Sequence, residues 1–171
     1  TDGSVGFGQF HGTSTILMPD QTNTVTITPE MGTTSISNSH ANAFYSFKTF
    51  NVDHGQTVNF SEPNFVDNVI ARVTGKNVSQ IDGKLSVTQD SGHANFYLLN
   101  PNGILFGKGA SIDVPGDFHV TTAHFIKFQD GAKFGSDPVH SHLTSAAPAS
   151  FGFTSSTKGN NVLLRSEERR V

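Results

Sequence analysis

Hydrophobic and polar residues alternate in short stretches along most of the chain. Val25 and Ile27 alternate with Thr24, Thr26 and Thr28, and Val58 and Phe60 alternate with Thr57 and Asn59. Val69, Ala71 and Val73 alternate with Ile70, Arg72 and Thr74. Leu85 with Val87, Ile104 with Phe106, Ile112 with Val114, and Phe118 with Val120 carry the same period onward. Alternation puts one set of side chains on one sheet face, and β-branched and aromatic residues suit a pleated, half-buried surface. No window sustains apolar residues at i, i+3 and i+4, because Gly, Asn, Ser or Thr interrupts nearly all of them. The pattern predicts an all-β chain.

Two all-β layouts compete, a sandwich of antiparallel hairpins and a solenoid of stacked coils. Asp82-Gly83 and Asn102-Gly103 are suitable hairpin turns. Their spacing, however, is about 20 residues, the length of a short solenoid repeat. Gly83-Lys84-Leu85-Ser86-Val87 also aligns with Gly103-Ile104-Leu105-Phe106-Gly107. One more such step leads to Ala123-His124-Phe125-Ile126-Lys127-Phe128, while Ser150-Phe151-Gly152-Phe153 lies somewhat beyond the next multiple. A recurring apolar triplet in phase with this period favours the solenoid. One coil cannot bury its inward side chains, whereas coils stacked about 4.8 Å apart make a continuous core. Residues 1–40 lack the period and are expected to cap the open first coil. Residues 41–155 are then the coils. Residues 156–171 finish in a charge burst from Leu164 to Val171 and read as a disordered tail whose native origin is open. The chain reads as the front piece of a longer protein.

Composition narrows the class. Of 171 residues, 35% are hydrophobic and 15% charged, with a net charge of −3. Disordered chains combine high net charge with few large apolar groups; here the charge is low and Phe occurs 15 times, so the chain is expected to fold. A mild acidic balance leaves no footprint for nucleic acid or an anionic membrane. Cysteine is absent, which excludes a disulfide scaffold, a zinc ribbon and a thiol nucleophile. No run of about 18 apolar residues is available to span a bilayer. The opening Thr1-Asp2-Gly3-Ser4 is not a signal peptide, so the protein is either cytosolic or has already lost its leader.

The most informative stretch is Asn100-Pro101-Asn102-Gly103-Ile104. Pro at the second place presets φ, Asn tolerates the turn, and Gly follows where φ turns positive. Those residues alone describe an ordinary turn. Their setting is more specific: Leu98-Leu99 precede them, Leu105-Phe106-Gly107 follow, and the whole string stands one coil after Ala71-Arg72-Val73-Thr74-Gly75 and Ser79-Gln80-Ile81-Asp82-Gly83. With Ser46-Phe47, Phe50-Asn51-Val52, Gly55, Val58, Phe60 and Thr122-Ala123, these segments make an ordered series. It resembles the secretion (TPS) domain of two-partner secretion exoproteins of the filamentous-haemagglutinin type, from about residue 5 to residue 153. Pro148 with Phe151-Gly152-Phe153 is similar to the form in cyanobacterial-type members.

The resemblance implies a right-handed parallel β-helix with an N-terminal cap and extra-helical strands. It also implies an address function. An Omp85-type outer-membrane transporter would recognise the domain in the periplasm through its POTRA domains, and the exoprotein would cross unfolded and fold outside. Asn100, Pro101, Asn102, Gly103 and Ile104 map to the family's secretion motif, with Asn102 its most sensitive position. Many relatives carry an earlier Asn-Pro-Asn-Leu motif; here Glu62-Pro63-Asn64-Phe65 matches it only at Pro63 and Asn64. The implied product is a monomeric, secreted or surface-bound protein with no cofactor and no catalysis.

Other chemistry is weaker. His140 and His142 form His-x-His, with His119 and His124 nearby in sequence, but no clear third metal ligand appears. Asp113, Asp117 and Asp130 stand beside Gly or Pro, where Asp commonly serves the backbone. Gly6-Phe7-Gly8 and Gly107-Lys108-Gly109 lack the strand–helix setting of a phosphate loop. The rival reading is a β-helical glycan-binding or polysaccharide-lyase-like domain. Its aromatic platform would have to be Phe, since Trp is absent and Tyr occurs only at Tyr45 and Tyr97.

Overall fold

The computed structural model describes residues 1, 2, 4, 16–154 and 161–164. Among these the chain is all-β, with no α-helix and two short 3-10 turns. Strand β1 (Thr24–Ile27) is followed by the hairpin of β2 (Thr33–Ser37) and β3 (His40–Phe47). Two strand triplets come next: β4 (Thr57–Ser61), β5 (Asn68–Val73) and β6 (Ser79–Ile81), then β7 (Lys84–Thr88), β8 (Asn95–Leu99) and β9 (Ile104–Phe106). β10 (Ser111–Asp113) and β11 (Phe118–Thr121) begin a third triplet. The chain then makes an excursion through β12 (Phe125–Phe128), β13 (Lys133–Gly135) and β14 (Pro148–Gly152), and returns as β15 (Val162–Leu164).

Each triplet places one strand in each of three sheets. Their orders are β1-β4-β7-β10, β11-β8-β5-β3-β2, and β15-β9-β6. All of these pairs are parallel except β2 with β3. The excursion strands form a separate antiparallel sheet, β13-β12-β14. Parallel strands covered on both faces tend toward continuous apolar runs, and all six residues of β5 are buried.

The register differs from the period read off the turns in the first sheet and between β5 and β8, while β8 to β11 takes the shorter step of 22 that the Asn95 side chain spans to Asp117. Thr57 stands against Lys84, and Lys84 against Ser111. Each of these steps equals the separation of 27 that the Asn102 side chain spans to Gly75. Ala71 stands against Leu98 at the same offset, in agreement with placing the Leu98 string one coil after Ala71. The shorter recurrence instead steps from β7 to β9, which lie in different sheets, and then to β12 in the antiparallel sheet. Asp-Gly and Asn-Gly mark corners, and each triplet has several corners, so the spacing of two corners is not the spacing of two triplets. Gly83 shows how tight such corners are. A Cβ there would run into the carbonyl oxygens of Gln56 and Asp53.

β1 lies within the range expected as cap, yet it pairs in register with β4 as a member of the first parallel sheet. Within the expected tail, Val162–Leu164 pairs with Ile104–Phe106; residues 156–160 and 165–171 lie outside the described residues. The tail's charge hid a short apolar strand.

The interior is a chain of aromatic rings. Phe60 is 0% exposed and lies 5.1 Å from Tyr45 and 5.1 Å from Phe96, ring centre to ring centre. Phe96 stacks on Phe118 at 5.8 Å, passing the contact to the next triplet. A second cluster lies outside the second sheet, where Phe44 and Ile70 meet Ile126, Phe128 and Phe134 of the excursion. Phe60→Ala should cost about 3–5 kcal/mol of stability, measured by urea unfolding. Phe65→Ala removes a ring that is 55% exposed and should stay within about 0.5 kcal/mol of the parent.

Candidate functional site

Asn100–Ile104 forms the corner between β8 and β9. The turn closes with the Gly103 N–H donating to the Asn100 carbonyl at 3.1 Å. Gly103 has a φ of +122°, which favours glycine. Asn100 is 0% exposed and Ile104 is buried, while Pro101 and Asn102 are half-buried.

The Asn100 side chain uses all of its hydrogen-bonding capacity. Its Nδ2 donates to the Asn77 carbonyl at 3.0 Å and to Ser79 Oγ at 2.9 Å. Its Oδ1 accepts from the Asn102 backbone N–H at 3.0 Å and from Asn102 Nδ2 at 2.8 Å. Asn102 Nδ2 also donates to the Gly75 carbonyl at 2.8 Å. Both amides therefore bind the corner directly beneath, between β5 and β6. The backbone continues upward, with the Asn100 N–H donating to Thr121 and the Ile104 N–H to Asn161. The corner is a clamp between successive triplets.

Pro63 and Asn64 occupy a different corner, between β4 and β5, so the structure does not bring the two predicted motifs together. The chemistry there is nonetheless similar. Asn64 Oδ1 accepts from the Ser91 N–H at 3.0 Å, one triplet later, and the Pro63 carbonyl accepts from Gln89 Nε2 at 2.7 Å. Beside them Glu62 is buried and paired with the Tyr45 hydroxyl, and its Oε2 has no hydrogen-bond partner among the described residues. Burial pushes the Glu62 carboxyl up to about 7, with the Tyr45 hydrogen bond opposing. Burial, and then the nearby Glu62 charge, pushes the Tyr45 hydroxyl up as well.

Sequence reasoning missed Arg72 as an organising residue. Its guanidinium is buried among Ser46 Oγ at 2.8 Å, the Gly135 carbonyl at 2.9 Å, Ser141 Oγ at 2.7 Å and Ser4 Oγ at 2.9 Å. It also lies over the Phe134 ring at 4.3 Å. A charge inside the apolar run Val69–Val73 was the available signal, since a buried charge requires partners.

The histidines and aspartates weighed for other chemistry make local contacts. His140 lies in the 3-10 turn Pro138–His140, not on a strand, and contacts Asp137 at 2.6 Å. No group of three or more metal-ligating side chains converges among the described residues. Asp130 accepts from the Ala132 N–H and from Thr144, and Asp113 pairs with Lys84 at 2.7 Å. A cavity of about 350 Å³ beside β1 is lined by residues such as Val25, Ile27, Phe47 and Phe50, and by no described carboxylate.

The family model for the TPS secretion domain matches residues 14–167. The chain belongs to the TPS secretion domain family. A heme/hemopexin-binding protein of Haemophilus influenzae (strain ATCC 51907 / DSM 11121 / KW20 / Rd) is 38% identical over 73 residues, 43% of this chain and 8% of that protein. A second heme/hemopexin-binding protein of Haemophilus influenzae is 39% identical over 70 residues, 41% of this chain and 7% of that protein. The chain thus matches only a small fraction of the length of these relatives. No solved structure matches significantly. The TPS domain assigns the chain a secretion role in a two-partner system, whose second member is in general an outer-membrane transporter. No helix among the described residues is long and apolar enough to cross a membrane.

Asn100→Ala should destabilise the TPS domain by about 2–4 kcal/mol, because it strands donors of Asn102 and the buried Ser79 hydroxyl. A double-mutant cycle with Asn102→Ala, read by urea unfolding, should show coupling of roughly 0.5–3 kcal/mol. For Glu62, the folded-state pKa lies above the ordinary value. Its contribution to stability is therefore full below about pH 4.5 and is lost as pH rises through about 7. Thermal melts should show that loss, of roughly 1–3 kcal/mol, and Glu62→Gln should flatten the profile.

Proposed function

We propose that this TPS domain is the secretion signal of a large exoprotein, read in the periplasm by the POTRA domains of an Omp85-type transporter. On this reading its three parallel sheets are the faces of a right-handed parallel β-helix. The domain is the first part to fold outside the cell and nucleates the coils that follow. It is a monomeric, non-catalytic module with no cofactor, secreted or displayed at the surface.

The observation that carries the reading is the family match together with the way the Asn100–Ile104 turn is built. Both asparagine side chains are engaged inside the fold, on Gly75, Asn77 and Ser79. A partner gains little by reading Asn102 after the corner has closed. The amide donors are free to be read while the chain is extended and are engaged once the corner closes, which suits a polypeptide that meets its transporter before folding. The lack of cysteine suits the same route, since no disulfide has to be held open in transit. The parallel pairing of successive triplets in all three sheets supports the β-helix. Among the described residues β10 and β11 end their sheets, so their free edges are templates for further strands. With only 8% of the first relative covered, heme or hemopexin binding is not carried over to this chain.

The test is coexpression with the cognate transporter, following extracellular and periplasmic protein. Asn102→Ala should remain in the periplasm. Phe60→Ala damages the core but leaves the motif, and should still leave the cell. Normal export of Asn102→Ala overturns the address reading. Saturable binding or turnover on a glycan array, without transporter binding, favours the glycan-binding or lyase-like alternative.

A further inference from the structure

We propose that Asn102-Gly103 is a deamidation site that folding shuts off, so that chains held unfolded age irreversibly at the corner they need in order to fold. The chain holds one Asn-Gly pair, at this position. Asn-Gly reacts readily because glycine, lacking a Cβ, leaves its backbone nitrogen unhindered and its φ free. In the reaction the Gly103 nitrogen loses its proton and attacks Asn102 Cγ. A Cγ–N bond forms, the Cγ–Nδ2 bond breaks, and Nδ2 leaves as ammonia after taking up a proton. Water then opens the succinimide ring to aspartate or isoaspartate. No oxidant or further co-reactant is needed.

The folded corner opposes each part of this sequence. The Gly103 N–H is engaged by the Asn100 carbonyl at 3.1 Å. The leaving amide is held twice, by the Gly75 carbonyl and by Asn100 Oδ1, both at 2.8 Å. Gly103 is buried and fixed at a φ of +122°, and its carbonyl is tied to the Ser79 N–H at 3.1 Å. Nucleophile, leaving group and backbone torsion are all constrained.

The product is incompatible with the corner. An aspartate in place of Asn102 would set a carboxylate oxygen where Nδ2 now donates to two acceptors, the Gly75 carbonyl and Asn100 Oδ1. Asn100 cannot relieve this by flipping its amide, because its Nδ2 already serves Asn77 and Ser79. Isoaspartate adds a methylene to the backbone of a turn closed by a single hydrogen bond. A molecule that folds promptly is protected, and one that lingers unfolded loses the corner. The chemistry does not rest on the transporter reading, and its test needs the purified chain alone.

The full chain is incubated at mildly alkaline pH, native in one arm and in denaturing urea in the other. Peptide mapping by mass spectrometry then localises deamidation. Asn102 should react at least about tenfold faster in the denatured arm, the suppression expected when reaction requires local opening. Gly103→Ala should slow the reaction in urea. After removal of urea, deamidated molecules should accumulate in the fraction that does not regain a cooperative melt. Asn102→Asp should melt lower than Asn102→Ala, which loses the same donors without adding a charge. Equal rates in the two arms overturn the protection. Full refolding of deamidated chains, or an Asn102→Asp melt no lower than that of Asn102→Ala, overturns the incompatibility.

Discussion

Side-chain amides at the corners and strand ends tie each triplet to the next, and the parallel stacking of the three sheets depends on those ties. Asn102 reaches Gly75 across 27 residues, and Asn64 reaches Ser91 across 27. Along the second sheet Asn95 donates to Asn68, and Asn68 to Asn42. Asn42 itself donates to the Thr144 and Ala146 carbonyls, which extends the column to the excursion. A parallel strand that slipped by one residue would turn its core-facing set outward. The interior of Phe60, Phe96 and Phe118 therefore relies on polar groups that contribute modestly when made. Such groups are costly when one partner is missing, about 1–3 kcal/mol for a buried donor or acceptor left alone.

A single guanidinium extends this order beyond the sheets. Arg72 is the next-to-last residue of β5, is 1% exposed, and reaches β3 through Ser46, the excursion through Gly135 and Ser141, and the chain start through Ser4. Burial lowers its pKa to about 10, so it stays charged at neutral pH. Burial also works against a charge on Asp2. Hydrogen bonds from Ser4, Thr74 and Ser46 outweigh it and hold that carboxyl below its usual range. Removing one partner of such a set leaves a charge stranded, so the arrangement acts more as a specification than as a source of net stability. It specifies that the antiparallel sheet docks on the outer face of the second sheet, over Phe44 and Ile70.

The sequence showed its strands more readily than its architecture. Val25-Thr26-Ile27, Val58-Asn59-Phe60 and Leu85-Ser86-Val87 carry an alternation that only a strand explains, and each lies in the first sheet. The repeat was obscured because corner chemistry recurs more often than triplets do. Asp82-Gly83 and Asn102-Gly103 stand at two corners of one triplet, and their spacing passed for the period. Val162–Leu164 was obscured by the charges that follow it, because its partner Ile104–Phe106 lies far back along the chain. Local pattern cannot signal a contact whose other half lies beyond a three-stranded excursion. Of the candidate site, the turn at Asn100–Ile104 was legible from Pro, Asn and Gly. That its amides face inward was not, because the acceptors at Gly75 and Asn77 are backbone carbonyls and leave no residue signature.

That inward orientation changes what a motif can mean. A surface address presents its side chains to a partner, and in that case the fold and the signal are separate properties. Here the same two amides cannot serve both at once. Asn100 has no unused hydrogen-bonding position, and Asn102 has no unused donor. On the proposed reading, closing the corner engages every donor of the two amides, and a partner that reads those donors needs the corner open. On that reading the motif couples recognition to the folding state: its donors are available before the triplets lock together and engaged when they do. Directionality would then need no separate switch, since the donors that complete the fold are the ones a partner would have to read.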